Sequence, residues 1–119
     1  MSDEKATEIE VTPQAVVVHI KVKMLDEANT KRVHEEVAAA VAQNPGLPFV
    51  LDMAQVKFLP SITLGALVKL ASEFRQRNQK IGLASLQPTV RDVMTITRLD
   101  RLLDVYDDVE AAKKGACAQ

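Results

Sequence analysis

The chain predicts an α/β domain built on a mixed, mainly parallel sheet covered by helices, and three features carry that expectation. Ala15 to Met24 alternates, with Val16, Val18, Ile20, Val22 and Met24 pointing one way and His19, Lys21 and Lys23 the other, as in a strand with one face on a core. Two longer stretches, from Asp26 or Asn29 to about Gln43 and from Ser61 to about Asn78, carry apolar residues at helical spacing. Short apolar runs separate them, and βα repeats of this kind lay helices across a parallel sheet through right-handed crossovers.

Each element has its own signature. Ile9 to Thr12 reads as a first short strand, broken by the turn residues Pro13-Gln14. In the first helix Val33, Val37, Ala40 and Val41 form the inward stripe, and Asn44-Pro45-Gly46 ends it. Phe49 to Leu51 is apolar on both faces, as in the centre of a parallel sheet. The helix opening at Ser61 places Leu64, Leu67, Val68, Ala71 and Phe74 on one stripe and charged residues over much of the rest. Lys80 to Leu86 is a further strand, closed by Gln87-Pro88. Thr89, Val90, Val93, Met94 and Ile96 then predict a third helix, Leu102 to Tyr106 a short strand, and Val109 to Lys114 a last helix. Residues 1–7 and 114–119 are expected to be flexible ends around a domain spanning 8–113.

Composition excludes several functions. At 119 residues the chain is one domain that buries about two-thirds of its unfolded surface. Its 47% apolar content supports a core of Val, Leu, Ile and Ala, since only 3% is aromatic and Trp is missing. Charged residues make up 26% and nearly balance, leaving a net charge of −1 and no footprint for nucleic acid or an anionic membrane. The start, Met1-Ser2-Asp3-Glu4-Lys5, lacks a signal-peptide core, and no segment approaches the ~20 apolar residues of a membrane span. A cytoplasmic protein without direct membrane insertion is expected. Cys117 is the only cysteine, so neither a disulfide nor a thiolate metal site is expected, and no cofactor motif occurs.

The informative junction runs from Val50 to Leu67, where a buried strand passes through a linker ending in Leu59-Pro60 into a helix at Ser61. Two readings of Ser61 are compatible. It caps the helix by accepting from the N–H of Thr63 or Leu64, worth about 1 kcal/mol, or it is phosphorylated, which adds nearly two charges at the positive end of a helix dipole. Asp52 either caps the loop or sits near Ser61 and repels an added phosphate. Gly65 is expected to let a neighbouring backbone approach closely. His19 and His34 are expected to be solvated surface residues, with no second ligand at metal spacing. A hydrolase using Ser61 is disfavoured: the G-x-S-x-G context is missing and no His follows it.

These residues match a family. Leu51-Asp52, Val56, Phe58, and Ser61 opening a helix with Leu64-Gly65-Ala66-Leu67 resemble the STAS domain of bacterial anti-sigma factor antagonists. Downstream, Ile81-Gly82-Leu83-Ala84, Val90-Arg91-Asp92-Val93-Met94, Leu99-Asp100-Arg101-Leu102-Leu103 and Val105-Tyr106 look like the family's closing elements. The resemblance implies a four- to five-stranded sheet with helices packed largely on one side. It implies a non-enzymatic protein that binds an anti-sigma factor of the ATPase-kinase type, is released by phosphorylation at Ser61, and is restored by a phosphatase. Asp52, Pro60, Ser61, Ile62, Thr63, Leu64 and Gly65 are the expected partner-binding residues, with Thr63 a weaker candidate phosphoacceptor. The chain departs from the usual Asp-Ser-(Ser/Thr)-Gly, reading Pro60-Ser61-Ile62-Thr63, and this leaves an alternative: a constitutive STAS interaction module, stressosome-like or transporter-associated, not switched by phosphorylation.

Overall fold

The computed structural model of the chain describes residues 6–117. Its strands are β1 (Thr7–Val11), β2 (Val16–Ile20), β3 (Phe49–Asp52), β4 (Ile81–Ala84) and β5 (Asp104–Tyr106). Its helices are α1 (Glu27–Gln43), α2 (Ser61–Gln76), α3 (Pro88–Ile96) and α4 (Val109–Cys117), with a 3-10 turn at Leu99–Arg101. The five strands lie in chain order, β1-β2-β3-β4-β5; β1 is antiparallel to β2, and every later pair is parallel. This is the mixed, mainly parallel sheet that the βα spacing predicts.

Two apolar layers hold the sheet. Val16, Val18 and Ile20 of β2, Phe49 and Leu51 of β3 and Leu83 of β4 face α1, α2 and α3, whose Val37, Leu67, Phe74, Val90 and Met94 complete the main core. On the opposite face Val17, Val50 and Ala84 pack with Ala112 of α4, flanked by Tyr106 and Val109. Three helices therefore lie on one side and one on the other. Phe49 and Phe74 meet edge to face with ring centroids 5.3 Å apart, locking α2 onto β3. In α1 the buried residues are Val33, Val37, Ala40 and Val41, as the helical spacing predicts, and the Asp26 carboxylate accepts from the Asn29 N–H to cap it.

Several expectations change. β1 begins at Thr7, so Ala6 and Thr7, expected to be flexible, are held in place: their backbone N–H groups, and the Thr7 hydroxyl, all donate to the Glu36 carboxylate on α1. Residues 1–5 lie outside the described residues. α4 continues to Cys117, so the expected tail is helical at its start. Its Gly115 makes room for the Tyr106 ring, which a Cβ there would strike. In β2 the inward alternation stops at Ile20: Val22 is only partly buried and Met24 is exposed, because the chain bends away to meet the loop before α2. Val17, between the inward positions, is fully buried under α4. On α2 the buried stripe is Thr63, Leu67, Leu70, Ala71 and Phe74, with Leu64 only partly buried and Val68 exposed. Ile96, one of the residues that predict α3, is 79% exposed at the helix's last turn.

Phe74 is 1% exposed at the contact of α2 with β3. Phe74→Ala is expected to destabilise the domain by about 3–5 kcal/mol in urea unfolding; a loss below about 1 kcal/mol would mean that this contact does not lock α2 onto the sheet.

Candidate functional site

The β3–α2 loop and the β2–α1 linker meet at one end of the sheet. Lys57 N–H donates to the Lys23 carbonyl at 2.7 Å, Met24 and Phe58 form a parallel bridge, and Leu25 N–H donates to the Phe58 carbonyl at 3.4 Å. This pairing extends the sheet edge beyond β2 and β3 and presents two large apolar side chains, Met24 at 46% and Phe58 at 56% exposure. Sequence patterning marks neither of them as a docking residue. Their pairing joins segments more than thirty residues apart; the only local clue is an aromatic residue in a loop just before Leu59-Pro60.

At the start of α2 the N-cap residue is Pro60, with extended backbone and no side-chain cap. The capping role expected of Ser61 is thus overturned: Thr63 N–H donates to the Pro60 carbonyl at 2.9 Å, and Ser61 is the first helical residue. Ser61 is exposed, and so is Ile62 beside it, at 54%. Thr63 does the opposite. It is 1% exposed, and its hydroxyl donates to the Leu25 carbonyl, which also accepts from the Thr30 hydroxyl at 3.0 Å. Its candidacy as phosphoacceptor, and as a direct docking residue, is corrected by this burial: the oxygen points into the core and its proton is used.

Two further expectations change. Gly65 is exposed and a Cβ there would meet nothing within 4 Å, so no backbone crowds it; it leaves the surface of α2 shallow instead. Asp52 is engaged away from α2. One carboxylate oxygen accepts from the Ala54 N–H at 3.1 Å and the other pairs with the His19 ring at 2.7 Å. The structure therefore exposes Ser61, Ile62 and Gly65 at the start of α2, just after the exposed Phe58 that pairs with Met24, while Asp52 joins a separate cluster with side chains of β1 and β2. His34, expected to be solvated, bridges α1 to α2 by pairing with Glu73 at 3.0 Å.

Between α1 and α2 an open groove of about 230 Å³ runs back from Ile62 past Ala66, edged by Glu27, Lys31, Lys69 and His34. Beside exposed apolar side chains and the positive end of a helix dipole, such a surface suits a protein partner or an anionic group better than a small apolar ligand. Among the described residues no group of His, Cys, Asp or Glu is arranged to hold a metal ion, and no helix is long and apolar enough to cross a membrane.

This arrangement, an antiparallel edge strand on an otherwise parallel sheet with helices on both faces, is the fold of a STAS domain, and the chain belongs to that family over residues 6–112. Among individual proteins it is similar to BtrV of Bordetella bronchiseptica, described as an anti-sigma factor antagonist: 28% identical over 89 residues, 75% of this chain and 76% of that protein. An anti-sigma factor antagonist (STAS) domain protein of Planctomyces limnophilus has the same fold, with a TM-score of 0.81 at 17% identity, covering 95% of this chain and 98% of that one. The antagonist SpoIIAA in its unphosphorylated form matches with a TM-score of 0.77 at 18% identity, over 96% of this chain and 98% of its own. At such identities the solved structures establish the fold, and the role must be argued from the site.

Thr63→Val keeps the shape and removes the buried hydroxyl that holds α2 to the β2–α1 linker. It is expected to cost about 1–3 kcal/mol in urea unfolding; an unchanged midpoint would show that the Leu25 carbonyl does not depend on it.

Proposed function

We propose that this protein is a non-enzymatic, cytoplasmic partner-switching regulator that binds an anti-sigma factor of the ATPase-kinase type and is released by phosphorylation at Ser61. A phosphatase returns it to the binding form. The observation that carries this reading is an exposed serine hydroxyl in the first turn of α2, on a surface that also exposes Met24, Phe58 and Ile62. The similarity to anti-sigma factor antagonists supports the partner class.

The switch follows from charge and burial. Docking removes water from the apolar patch, and Ser61 lies beside it. A phosphate there carries nearly two charges that hydration holds strongly, and a partner surface that accepts a neutral hydroxyl must strip that hydration or stay away. The helix itself tolerates the anion, because it lies at the positive end of the α2 dipole. Phosphorylation on this account alters binding without unfolding the domain. Pro60 and Ile62 give the docking rim its apolar character, and Gly65 leaves space for a partner's backbone.

Incubation with the candidate anti-sigma kinases of its genome and ATP is expected to modify Ser61, read by mass spectrometry. Ser61→Asp should weaken partner binding at least about tenfold (about 1.4 kcal/mol) while Ser61→Ala stays within about threefold. Equal affinities for the two variants, with both folded, would contradict a charge-operated switch and favour constitutive docking on the same surface.

A further inference from the structure

On the sheet face opposite α1–α3, the area beyond α4 carries a polar cluster that the docking surface does not use. Glu8 pairs with His19 across the β1–β2 ladder, and His19 with Asp52 across the β2–β3 ladder, so all three side chains share that face. With Glu10, Lys21 and Gln55 they line an open cavity of about 320 Å³. The His19 ring spans it: Nδ1 is 2.7 Å from an Asp52 carboxylate oxygen and Nε2 is 2.8 Å from a Glu10 carboxylate oxygen. An ionised carboxylate can only accept, so the ring makes both contacts as hydrogen bonds only when both of its nitrogens carry protons, as an imidazolium.

We propose that His19 is a proton-operated strap that ties the edge strand β1 to β3 across β2 and opens at Glu10 when the ring gives up its second proton. A neutral imidazole has one N–H, and its other nitrogen would then face a carboxylate oxygen lone pair to lone pair at hydrogen-bond distance. Only one contact survives. The Asp52 side chain is 18% exposed and its second oxygen is held by the Ala54 N–H, whereas the Glu10 side chain is 56% exposed on an edge strand and swings into water at little cost. The ring keeps Asp52 and releases Glu10.

The charges facing the ring favour the closed form. Glu8 and Glu10 come from β1, Asp52 from β3, and Lys21 from the residue just after β2, where it pairs with Glu8 at 3.2 Å. Burial of the ring opposes its charge, but the hydrogen bonds to Glu10 and Asp52 and the fields of both carboxylates outweigh it, so the pKa is raised above 6.5. The sign follows: the strap's contribution to stability is complete below pH 6.5 and is lost as pH rises through the raised folded-state value. Because Asp52 roots the loop that leads to Ser61, opening the strap also makes the potential beside that loop more negative. The strap stands on its own geometry and needs no partner.

An NMR titration of the full chain from about pH 5.5 to about pH 9 reads it directly, through the His19 ring nitrogens and the Glu10 side-chain carboxyl carbon. The ring midpoint is expected above 6.5, with a step at the same midpoint in Glu10. Glu10→Gln should lower the ring midpoint by about 0.2–0.7 pH units, the size of a partly exposed ion pair. His19→Gln should remove the step from Glu10. A ring midpoint at or below 6.5, a Glu10 signal without the shared step, or a midpoint unmoved in Glu10→Gln would each overturn the strap.

Discussion

The carbonyl of Leu25, shared by the hydroxyls of Thr30 and Thr63, fixes the start of α2, and the proposed docking surface depends on it. It binds a side chain of α1 and a side chain of α2 to the linker that precedes α1. Once Thr63 points inward, Leu67, Leu70, Ala71 and Phe74 follow it at helical intervals into the core. The same rotation turns Ser61, Ile62 and Gly65 to solvent. A threonine suits this position because its methyl packs with the core while its hydroxyl satisfies a buried carbonyl, which would otherwise cost about 1–3 kcal/mol. A glycine there would leave that carbonyl to Thr30 alone.

The surface built around this anchor is composite. Met24 comes from the chain leaving β2 and Phe58 from the chain leaving β3, and their parallel bridge continues the β2–β3 pairing past the ends of both strands. Exposed apolar side chains scattered singly are ordinary on a protein surface. Here Met24 and Phe58 are adjacent, Ile62 lies in the first turn of α2 just after Phe58, and the groove between α1 and α2 opens from Ile62. On the proposed reading, a phosphate added at this helix N-terminus would disturb apolar docking while the helix dipole tolerates it.

Long periodic segments made most of the fold legible in advance. The four inward residues of α1 and the doubly buried β3 follow from spacing and composition alone. The stripe on α2 was displaced at its start, because a rule that counts only apolar residues favours Leu64 over Thr63, and a threonine with a buried partner is invisible to it. Ser61 was legible as a junction residue, yet its assignment as the cap failed because Pro60 takes that position with its extended backbone. Gly65 misled for a related reason: a glycine in a helix suggests close approach, whereas here it faces open water. Met24 with Phe58, and Glu10 with His19 and Asp52, are contacts between strands and loops far apart in sequence. They depend on register, which hydrophobic alternation does not specify for polar residues on an open face. The single helix on the second face hides in a similar way, since Val17 reads as an outward position until α4 covers it.

The proposed switch requires the partner to contact the start of α2 and the paired loops beside it. The chemical-shift footprint of the bound anti-sigma factor on isotope-labelled protein measures this most directly. Changes centred on Met24, Phe58, Ser61, Ile62 and Gly65, with α4 and β5 undisturbed, are the predicted result. A footprint centred on α4, or on the β5 edge, with those residues unchanged would contradict it.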